Sequence, residues 1–225
     1  MDIRGVVFDY GNVLSTPAIG SERETLARIC GLPPETLDLY YWKYRRAYDA
    51  GDFTGETYWR AVATDAKVHV NAQQISDLVY HDIRMWTGLN YTMVDWAKNL
   101  HRNRFRIGIL SNIGVELASA LESKFEWVNG FDHNVWSCRV RLTKPDPQIY
   151  EIHPKQFQLP SSEILFLDDR EENVAAARDV GYQVIRFTDV AQLRAELKVL
   201  GVFDGLVPLP EMAEQPKPGC AASGS

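Results

Sequence analysis

The chain has 225 residues, of which 45% are hydrophobic and 24% are charged, as expected for a globular protein with one large domain or a core domain and a modest insertion. Its formal net charge of −6 argues against a nucleic-acid partner, because phosphate backbones are bound by clusters of Lys and Arg. No apolar run reaches the length of a membrane span, and the first residues show no signal-peptide pattern. We therefore expect a cytoplasmic protein with no membrane and no nucleic-acid partner.

The number and spacing of the cysteines also favour the reducing environment of the cytoplasm. Cys30, Cys138 and Cys220 are widely spaced and form no CxxC pair. An odd number of cysteines also leaves one without a partner, so we expect them to be reduced.

The first third of the chain predicts one strand followed by a block of helices. Residues 3–8 form a short β-branched run that suits a strand buried on both faces. Four helices follow without an intervening strand. The first is opened by a capping box from Ser21 to Glu24 and reaches residue 29, and the second runs from the prolines at 33–34 to residue 50. The third is capped by Thr54, and the fourth is capped by Asn71 and reaches residue 84. We interpret this block as a helical insertion after the first strand.

Strands and helices alternate over most of the remaining chain. Helices are predicted over residues 91–102, 115–124, 147–157, 171–180 and 190–200, and strands over residues 106–110, 134–137, 164–167 and 183–187. This alternation is typical of a parallel sheet with helices on both faces. We therefore predict an α/β fold with a doubly wound, Rossmann-like core over residues 1–14 and 87–206, an inserted helical cap over residues 15–86, and a flexible tail over residues 207–225.

Polar and charged side chains follow several of the predicted strands. In chain order these residues are Asp9, Tyr10, Gly11, Asn12, Ser111, Asn112, Lys144, Asp168 and Asp169, with Asn173 one helical turn further on. Ligands of open parallel sheets bind beyond the carboxyl ends of the strands. We therefore expect one ammonium group, three carboxylates and a hydroxyl to meet at one rim of the sheet.

This set of groups suits metal-assisted chemistry at a phosphate. Several carboxylates in one place repel one another unless a cation holds them, and hard oxygen ligands suit Mg²⁺. One carboxylate can also act as a nucleophile, while a hydroxyl and an ammonium group bind the phosphoryl oxygens. Each residue alone has an ordinary explanation as a cap or turn residue, but adjacent carboxylates at a buried strand end are costly without a partner.

The same residues resemble the four motifs of the haloacid dehalogenase-like hydrolase superfamily. The motifs are Val-Val-Phe-Asp9-Tyr-Gly-Asn-Val-Leu, Leu-Ser111-Asn, Lys144-Pro-Asp and Phe-Leu-Asp168-Asp169, and the helical insertion between the first two resembles the small cap of that family. The resemblance implies that Asp9 is the catalytic nucleophile and that Ser111 and Lys144 act in catalysis and bind phosphate, with Asn112 as a further phosphate-binding candidate. It also implies that Asp9, the carbonyl of Gly11 and Asp169 bind Mg²⁺, with Asp168 assisting.

One position departs from the family pattern. The phosphatases of the family usually carry a second Asp two residues after the nucleophile as general acid and base, and Gly11 occupies that position here. Tyr10, Asn12, a cap residue or a metal-polarised water are the candidates to replace that acid, and the sequence selects none of them.

Three functional interpretations follow from Gly11. The first is an active phosphatase similar to the bacterial glucose-1-phosphate phosphatase branch, whose first motif reads Asp-x-Gly-Asn-Val; its substrate would be a sugar 1-phosphate or another small phosphorylated metabolite with an easily departing leaving group. The second is a 2-haloacid dehalogenase-type hydrolase, which needs neither that acid nor a metal. The third is a catalytically inactive binding or regulatory member. We favour the first, because a dehalogenase would leave Asp168 and Asp169 uncompensated.

The second predicted helix carries an aromatic and basic stripe. Tyr41, Arg45 and Tyr48 share one face of the helix by their spacing. Most of these rings are expected to form the core of the cap, whereas Arg45 and Arg46 are candidates for substrate recognition. Closure of such a cap would exclude water from the reacting groups. The sequence does not decide between a monomer and a homodimer.

Overall fold

The computed structural model describes residues 2–201, so the predicted tail over residues 207–225 and Cys220 lie outside the described residues. The described part of the chain contains one sheet of five parallel strands in the order β3-β2-β1-β4-β5. The strands are β1 (Gly5–Phe8), β2 (Arg106–Ser111), β3 (His133–Trp136), β4 (Ile164–Asp168) and β5 (Gln183–Arg186). The chain winds outward from β1 in one direction and then returns to the other side of β1. The predicted doubly wound α/β fold is therefore confirmed.

Both faces of the sheet are buried, which explains the continuous apolar runs of the strands. Val6 and Phe8 point into one hydrophobic cluster, whereas Val7 between them points into another. This alternation follows from the period of two residues in a strand. Helices cover both faces, as the length of the crossover connections between parallel strands requires.

Four helices are inserted between β1 and the helix that precedes β2. They are α1 (Gly20–Cys30), α2 (Pro34–Asp49), α3 (Gly55–Asp65) and α4 (Ala72–Met85), and the chain then enters α5 (Tyr91–Arg102). Thr54 and Asn71 cap α3 and α4 with reciprocal side-chain hydrogen bonds, as predicted. The four inserted helices, called the cap below, enclose a hydrophobic cluster of their own that includes Tyr41, Tyr48 and Trp59.

The remaining helices surround the sheet. They are α6 (Val115–Lys124), α7 (Glu126–Asn129), α8 (Ser137–Val140), α9 (Pro147–Tyr150), α10 (Ile152–Phe157), α11 (Glu171–Asp179) and α12 (Val190–Leu200). The sequence missed α7 and α8 because a helix of a single turn leaves no periodic apolar pattern. Within residues 2–201, none of the helices combines the length and apolar character needed to cross a membrane.

The predicted capping box at Ser21 is wrong. Helix α1 begins at Gly20, its N-cap residue is Ile19, and no side chain caps it. The backbone amide of Ile19 instead donates to the carbonyl of Met85 at the end of α4, 3.0 Å away. This contact fixes the start of the helix before Ser21, whose carbonyl accepts the hydroxyl of Thr25.

The single helix predicted over residues 147–157 is also wrong, because the structure divides it at Glu151 into α9 and α10. Pro154 has no amide hydrogen, so it cannot donate to the carbonyl of Tyr150 four residues earlier. The hydroxyl of Tyr182 donates to that carbonyl instead, at 2.6 Å.

The cap is held closely against the core. Its two connections to the core run side by side, with a bridge between Ser15 and Leu89. At the far side, Gly51 follows α2 with φ of +79°, and a Cβ built on it would lie 2.4 Å from the carbonyl oxygen of Cys138. Only glycine fits this position without displacing the core backbone. These contacts at both ends hold the cap against the core.

Candidate active site

The predicted site residues meet at the carboxyl edge of the sheet. The chain reverses its direction of winding between β1 and β4, and Asp9 and Asp168 lie at the ends of these two neighbouring strands. Such switch points are where ligands of doubly wound sheets bind. A cavity of about 550 Å³ opens there, between the sheet edge and the cap.

The cavity has a wall from the core and a wall from the cap. The core wall includes Asp9, Gly11, Asn12, Ser111, Asn112, Lys144, Asp169, Arg170 and Glu172. The cap wall includes Trp42, Arg45, Arg46, Asp49 and Trp86. Its size is within the range of small-molecule sites.

Lys144 occupies the centre of the core wall. Its Nζ atom lies 2.9 Å from Oδ1 of Asp9 and 2.6 Å from Oδ2 of Asp168. The side chain of Lys144 is 1% exposed and that of Asp168 is fully buried, so this ion pair is almost wholly removed from water. A buried charge is tolerated only with such partners.

Hydrogen bonds from three segments fix this cluster. Asn112 exchanges two bonds with the backbone of Lys144, accepting from its amide at 2.8 Å and donating to its carbonyl at 2.9 Å. Asn173 donates to both oxygens of Asp168 at 3.0 Å, and the backbone amide of Arg170 donates to Oδ1 of Asp168 at 2.9 Å. Asp168 therefore has its oxygens saturated by protein donors, and Asn112 positions the lysine.

The loop after β1 orients the carboxylate of Asp9 and also contacts the carboxylate of Asp169. The amide of Tyr10 donates to Oδ1 of Asp9 at 2.7 Å. Gly11 is extended and Asn12 has φ of 57°, so the chain turns sharply there. The side-chain amide of Asn12 then donates to Oδ2 of Asp169 at 2.8 Å. Sequence reasoning treated Asn12 only as a substitute acid and missed this supporting contact.

Burial and like charges make Asp9 and Asp169 easier to protonate. Burial raises the pKa of Asp9 from 3.8 to about 7, with Lys144 opposing the shift and Asp168 adding to it. Burial also raises the pKa of Asp169, which Asn12 partly opposes. Burial by itself would lower the pKa of Lys144, but Asp168 and Asp9 outweigh it and raise that pKa. The lysine is therefore charged, and the carboxylates are in excess.

This donor set fits a divalent cation. Oxygen atoms of Asp9, Asp168 and Asp169 lie within 4.8 Å of one another, and three carboxylates face a single ammonium group. Gly11, the fourth predicted metal ligand, lies in the cavity wall beside Asp9. Hard carboxylate and carbonyl oxygens are the ligands that Mg²⁺ prefers.

Ser111 is the last residue of β2 and Asn112 follows it, and β2 lies next to β1 on the side away from β4. Ser111 is 3% exposed and lines the same cavity as Asp9 and Lys144. Its strand pairs with β1, with Phe8 opposite Ile109. The structure thus brings the predicted phosphate-binding residues Ser111 and Lys144 to the same cavity, whereas the amide of Asn112 is engaged with the lysine backbone.

Arg45 lies in the cap wall of the cavity and forms a second buried ion cluster. Its Nε atom donates to Oδ1 of Asp49 at 3.0 Å, and its Nη1 atom lies 3.2 and 3.3 Å from the two oxygens of Asp82. The rings of Tyr41 and Tyr48 flank the guanidinium group, each with its centroid 5.2 Å from Cζ. Substrate binding by Arg45 stays a prediction, and its charge is already shared between two carboxylates.

Sequence reasoning missed Asp49 and Asp82 as members of this cluster. The spacing of Asp49, four residues after Arg45 on one helix, is a signal that the sequence contains. No local pattern indicates Asp82, because it belongs to α4 and meets Arg45 only when α4 packs against α2.

The chain is similar to known proteins over most of its length. A family model described as haloacid dehalogenase-like hydrolase matches residues 3–181. The chain is 29% identical over 220 residues to bifunctional epoxide hydrolase 2 of Sus scrofa, a match that covers 90% of the chain and 40% of that protein. The chain therefore spans less than half the length of this curated relative.

Two shorter matches are to a protein named as a phosphatase and to a protein named as a dehalogenase. Over 79 residues the chain is 37% identical to the sesquiterpene phosphatase astK of Aspergillus oryzae, which covers 35% of the chain and 40% of that protein. Over 88 residues it is 31% identical to an (S)-2-haloacid dehalogenase of Pseudomonas sp. strain YL, which covers 39% of the chain and 38% of that protein.

The fold also matches a solved structure. A HAD family enzyme from Bacteroides thetaiotaomicron, in complex with magnesium and inorganic phosphate, superposes with a TM-score of 0.66 at 17% identity. The match covers 85% of the chain and 98% of the solved chain.

Proposed function

The chain belongs to the haloacid dehalogenase-like hydrolase family, and we propose that it is a Mg²⁺-dependent phosphatase that hydrolyses small phosphate monoesters through a phosphoaspartyl intermediate on Asp9. The excess of carboxylates over cations around Lys144 carries this proposal. Dehalogenation uses no cation and would leave this negative charge unbalanced, whereas a divalent cation balances it and allows an anionic phosphate ester to bind beside the carboxylates.

Asp9 is the nucleophile in this proposal. One of its oxygens attacks the phosphorus atom, and the bond from phosphorus to the leaving oxygen breaks. Lys144 and the hydroxyl of Ser111 hold the phosphoryl oxygens, where they stabilise the charge that these oxygens carry during transfer. Water then attacks the phosphorus atom and releases Asp9. Because Asp9 is held by the amide of Tyr10 and by Lys144, its orientation is fixed before the substrate binds.

Mg²⁺ would be held by Asp9, Asp169 and the carbonyl of Gly11, and it would supply neutralisation of the charge at the phosphate. Asp169 suits this role better than Asp168, because Asp169 lines the cavity while Asp168 is fully buried and saturated by Lys144, Asn173 and Arg170. Asp168 then assists by holding Lys144 in place. We expect the pKa of Asp9 to fall below its metal-free value when a cation balances the cluster.

The proposed substrate is a small phosphorylated metabolite that fits a cavity of about 550 Å³. Trp42, Arg46 and Trp86 line the cap wall of this cavity, and in this proposal they contact the leaving group. Sugar phosphates, including a sugar 1-phosphate, are within this size and polarity range and form the first panel to test.

The test is hydrolysis of p-nitrophenyl phosphate with Mg²⁺, with EDTA, and by the Asp9→Asn variant. We expect activity that requires Mg²⁺ and falls on the order of 10⁵-fold in the variant, as for loss of a nucleophile in other enzymes. Asp95→Asn serves as a matched control, because Asp95 lies on the surface of α5 and is 61% exposed. It should leave the rate unchanged.

Two other outcomes would contradict the proposal. Release of halide from a 2-haloalkanoic acid that continues in EDTA, without phosphate release from any ester, would identify a dehalogenase. No turnover of either class of compound by the folded protein would identify a binding or regulatory member of the family.

A further inference from the structure

The proposed reaction lacks an obvious proton donor for the leaving group, since Gly11 stands where a carboxyl group would supply it. Candidates must line the cavity and carry a transferable proton. The hydroxyl of Tyr10 donates to the carbonyl of Trp86 at 2.8 Å, and burial raises its pKa. Asn12 has only an amide, which donates to Asp169. The donor groups of both residues are therefore already engaged by protein acceptors.

Two carboxyl groups remain on the cavity walls besides the predicted metal ligands. Glu172 is exposed and paired with Arg170, and its pKa is lowered by a backbone hydrogen bond and by Arg170. It is therefore ionised at neutral pH. Asp49, in contrast, is 8% exposed and lies in the cap wall.

The position of Asp49 is fixed relative to the predicted phosphate-binding loop. Its carbonyl oxygen accepts the hydroxyl of Ser137 at 2.6 Å, and the same Ser137 oxygen accepts the backbone amide of Ile113 at 2.8 Å. Ile113 lies two residues after Ser111 and lines the same cavity. This chain of two hydrogen bonds holds the end of α2 above the carboxyl end of β2. Asp49 therefore has a fixed position in the wall of the same cavity that Asp9 lines.

The surroundings of Asp49 include cations and carboxylates that act on its pKa in opposite directions. Arg45 on its own helix lies 3.0 Å away but is shared with Asp82 of α4. The other titratable groups that face Asp49 are Arg170 from the loop after β4, Tyr58 of α3 and Cys138 of α8. Within this buried cap cluster, two carboxylates compete for one guanidinium group.

We propose that Asp49 is the general acid that protonates the leaving oxygen, in place of the carboxyl group absent at Gly11. This inference rests on the proposed phosphatase function. As Asp9 bonds to phosphorus and the bond to the leaving oxygen breaks, the bonding electrons pass to that oxygen, which takes the proton of the Asp49 carboxyl group. Asp49 becomes a carboxylate beside Arg45, and it regains a proton from the water that hydrolyses the phosphoaspartate.

The acidity of Asp49 suits this role. Burial raises its pKa from 3.8 to about 6, with Arg45 opposing the shift and Asp82 adding to it. General acids work best when their pKa lies near the working pH. An acid at Asp49 also extends the range of substrates to esters of ordinary alcohols, beyond the activated esters to which Gly11 alone would restrict the protein.

The test compares kcat/KM for p-nitrophenyl phosphate and for an alkyl phosphate in the wild-type protein and in Asp49→Asn. This parameter covers the steps up to release of the leaving group. p-Nitrophenolate departs without a proton, whereas an alkoxide needs one. We expect Asp49→Asn to lower kcat/KM for the alkyl ester on the order of 10²- to 10⁴-fold while that of the aryl ester changes less than about threefold. An equal loss for both esters would overturn the inference, because a purely structural role affects both.

The matched control is Asp52→Asn, three residues further on. Asp52 is 53% exposed and pairs with Arg141 on the surface of the same cap–core boundary, so both esters should keep their rates. If Asp49→Asn fails to fold, kcat/KM of the wild-type protein is measured for esters whose leaving alcohols differ in pKa. A weak dependence of kcat/KM on that pKa supports an internal acid, and a steep dependence overturns the inference. A protein that hydrolyses no phosphate ester at all removes the proposed function, and this inference with it.

Discussion

Two buried ion clusters face each other across the cavity, one in the core and one in the cap. In the core, Lys144 lies between Asp9 and Asp168; in the cap, Arg45 lies between Asp49 and Asp82. In each cluster one carboxylate lines the cavity and the other holds the cation from behind. Both clusters therefore present a carboxyl group whose pKa is raised by burial, to about 7 for Asp9 and about 6 for Asp49.

The clusters differ in what balances them. The core cluster has a third carboxylate, Asp169, within 4.8 Å, and its donors include backbone amides as well as side chains. The cap cluster has no third carboxylate at this distance among the described residues, and two tyrosine rings flank its cation. The surplus negative charge in the core suits a metal ion, whereas the cap cluster suits a carboxyl group that gains and loses one proton.

The largest expected effect is on stability in the core cluster. Lys144→Gln leaves Asp9, Asp168 and Asp169 without their common cation, so we expect the free energy of unfolding, measured in EDTA by chemical denaturation, to fall by ~3–5 kcal/mol. Mg²⁺ should restore part of this loss because it neutralises the same carboxylates.

The control for this variant is Lys98→Gln, whose lysine pairs with Asp95 on the surface of α5. A surface pair of this kind contributes at most about 1 kcal/mol. Equal losses in the two lysine variants would mean that the buried core cluster contributes no more than a surface ion pair.

The cap cluster should respond less strongly. Arg45→Gln leaves Asp49 and Asp82 without a cation, and we expect a loss of about 3 kcal/mol in the free energy of unfolding at pH 7. The effect is smaller than in the core because two carboxylates repel each other there instead of three. Thermal and chemical denaturation in EDTA measure both variants under one condition.

Arg46→Gln on the next residue is the control for Arg45→Gln, since Arg46 is exposed and should change stability by less than about 0.5 kcal/mol. A loss for Arg45→Gln that exceeds that of Lys144→Gln would reverse the proposed ranking of the two clusters.

His153 is a buried titratable group outside the two ion clusters, and it shows how burial without a counter-charge changes a pKa. Its Nε2 atom lies 3.1 Å from the carbonyl oxygen of His133, and its Nδ1 atom has no hydrogen-bond partner within residues 2–201. Burial lowers the pKa of His153 from 6.5 to about 3. The unfolded chain therefore binds more protons than the folded chain between these values, and stability falls as the pH falls below about 6.5.

Replacing His153 by Gln should remove this part of the acid sensitivity. Between pH 7 and pH 4 we expect His153→Gln to lose about 3 kcal/mol less unfolding free energy than the wild-type protein, as measured by urea denaturation at each pH. His69→Gln in the loop before α4 is the control. Parallel pH profiles for wild type and His153→Gln would contradict this assignment of the acid sensitivity to His153.

Patterns within a few residues predicted the sheet and most helices. The β-branched run of β1, the caps at Thr54 and Asn71 and the apolar periodicity of α5, α6 and α12 each depend on neighbours in the sequence. The predictions failed where a distant contact intervened. Met85 fixes the start of α1, and the missing amide of Pro154, with Tyr182 as the replacement partner, divides α9 from α10.

The amino-acid sequence by itself determined the order of strands and helices and the set of polar residues at the strand ends, because strand and helix periods and the chemistry of the caps are local properties. Only the tertiary structure decided that Asp168 binds Lys144 from the buried side while Asp169 lines the cavity. It also decided that Asp82 contacts Arg45, which lies 37 residues earlier in the chain. The physical reason is that burial, and with it the pKa and the need for a counter-charge, depends on which surfaces pack together.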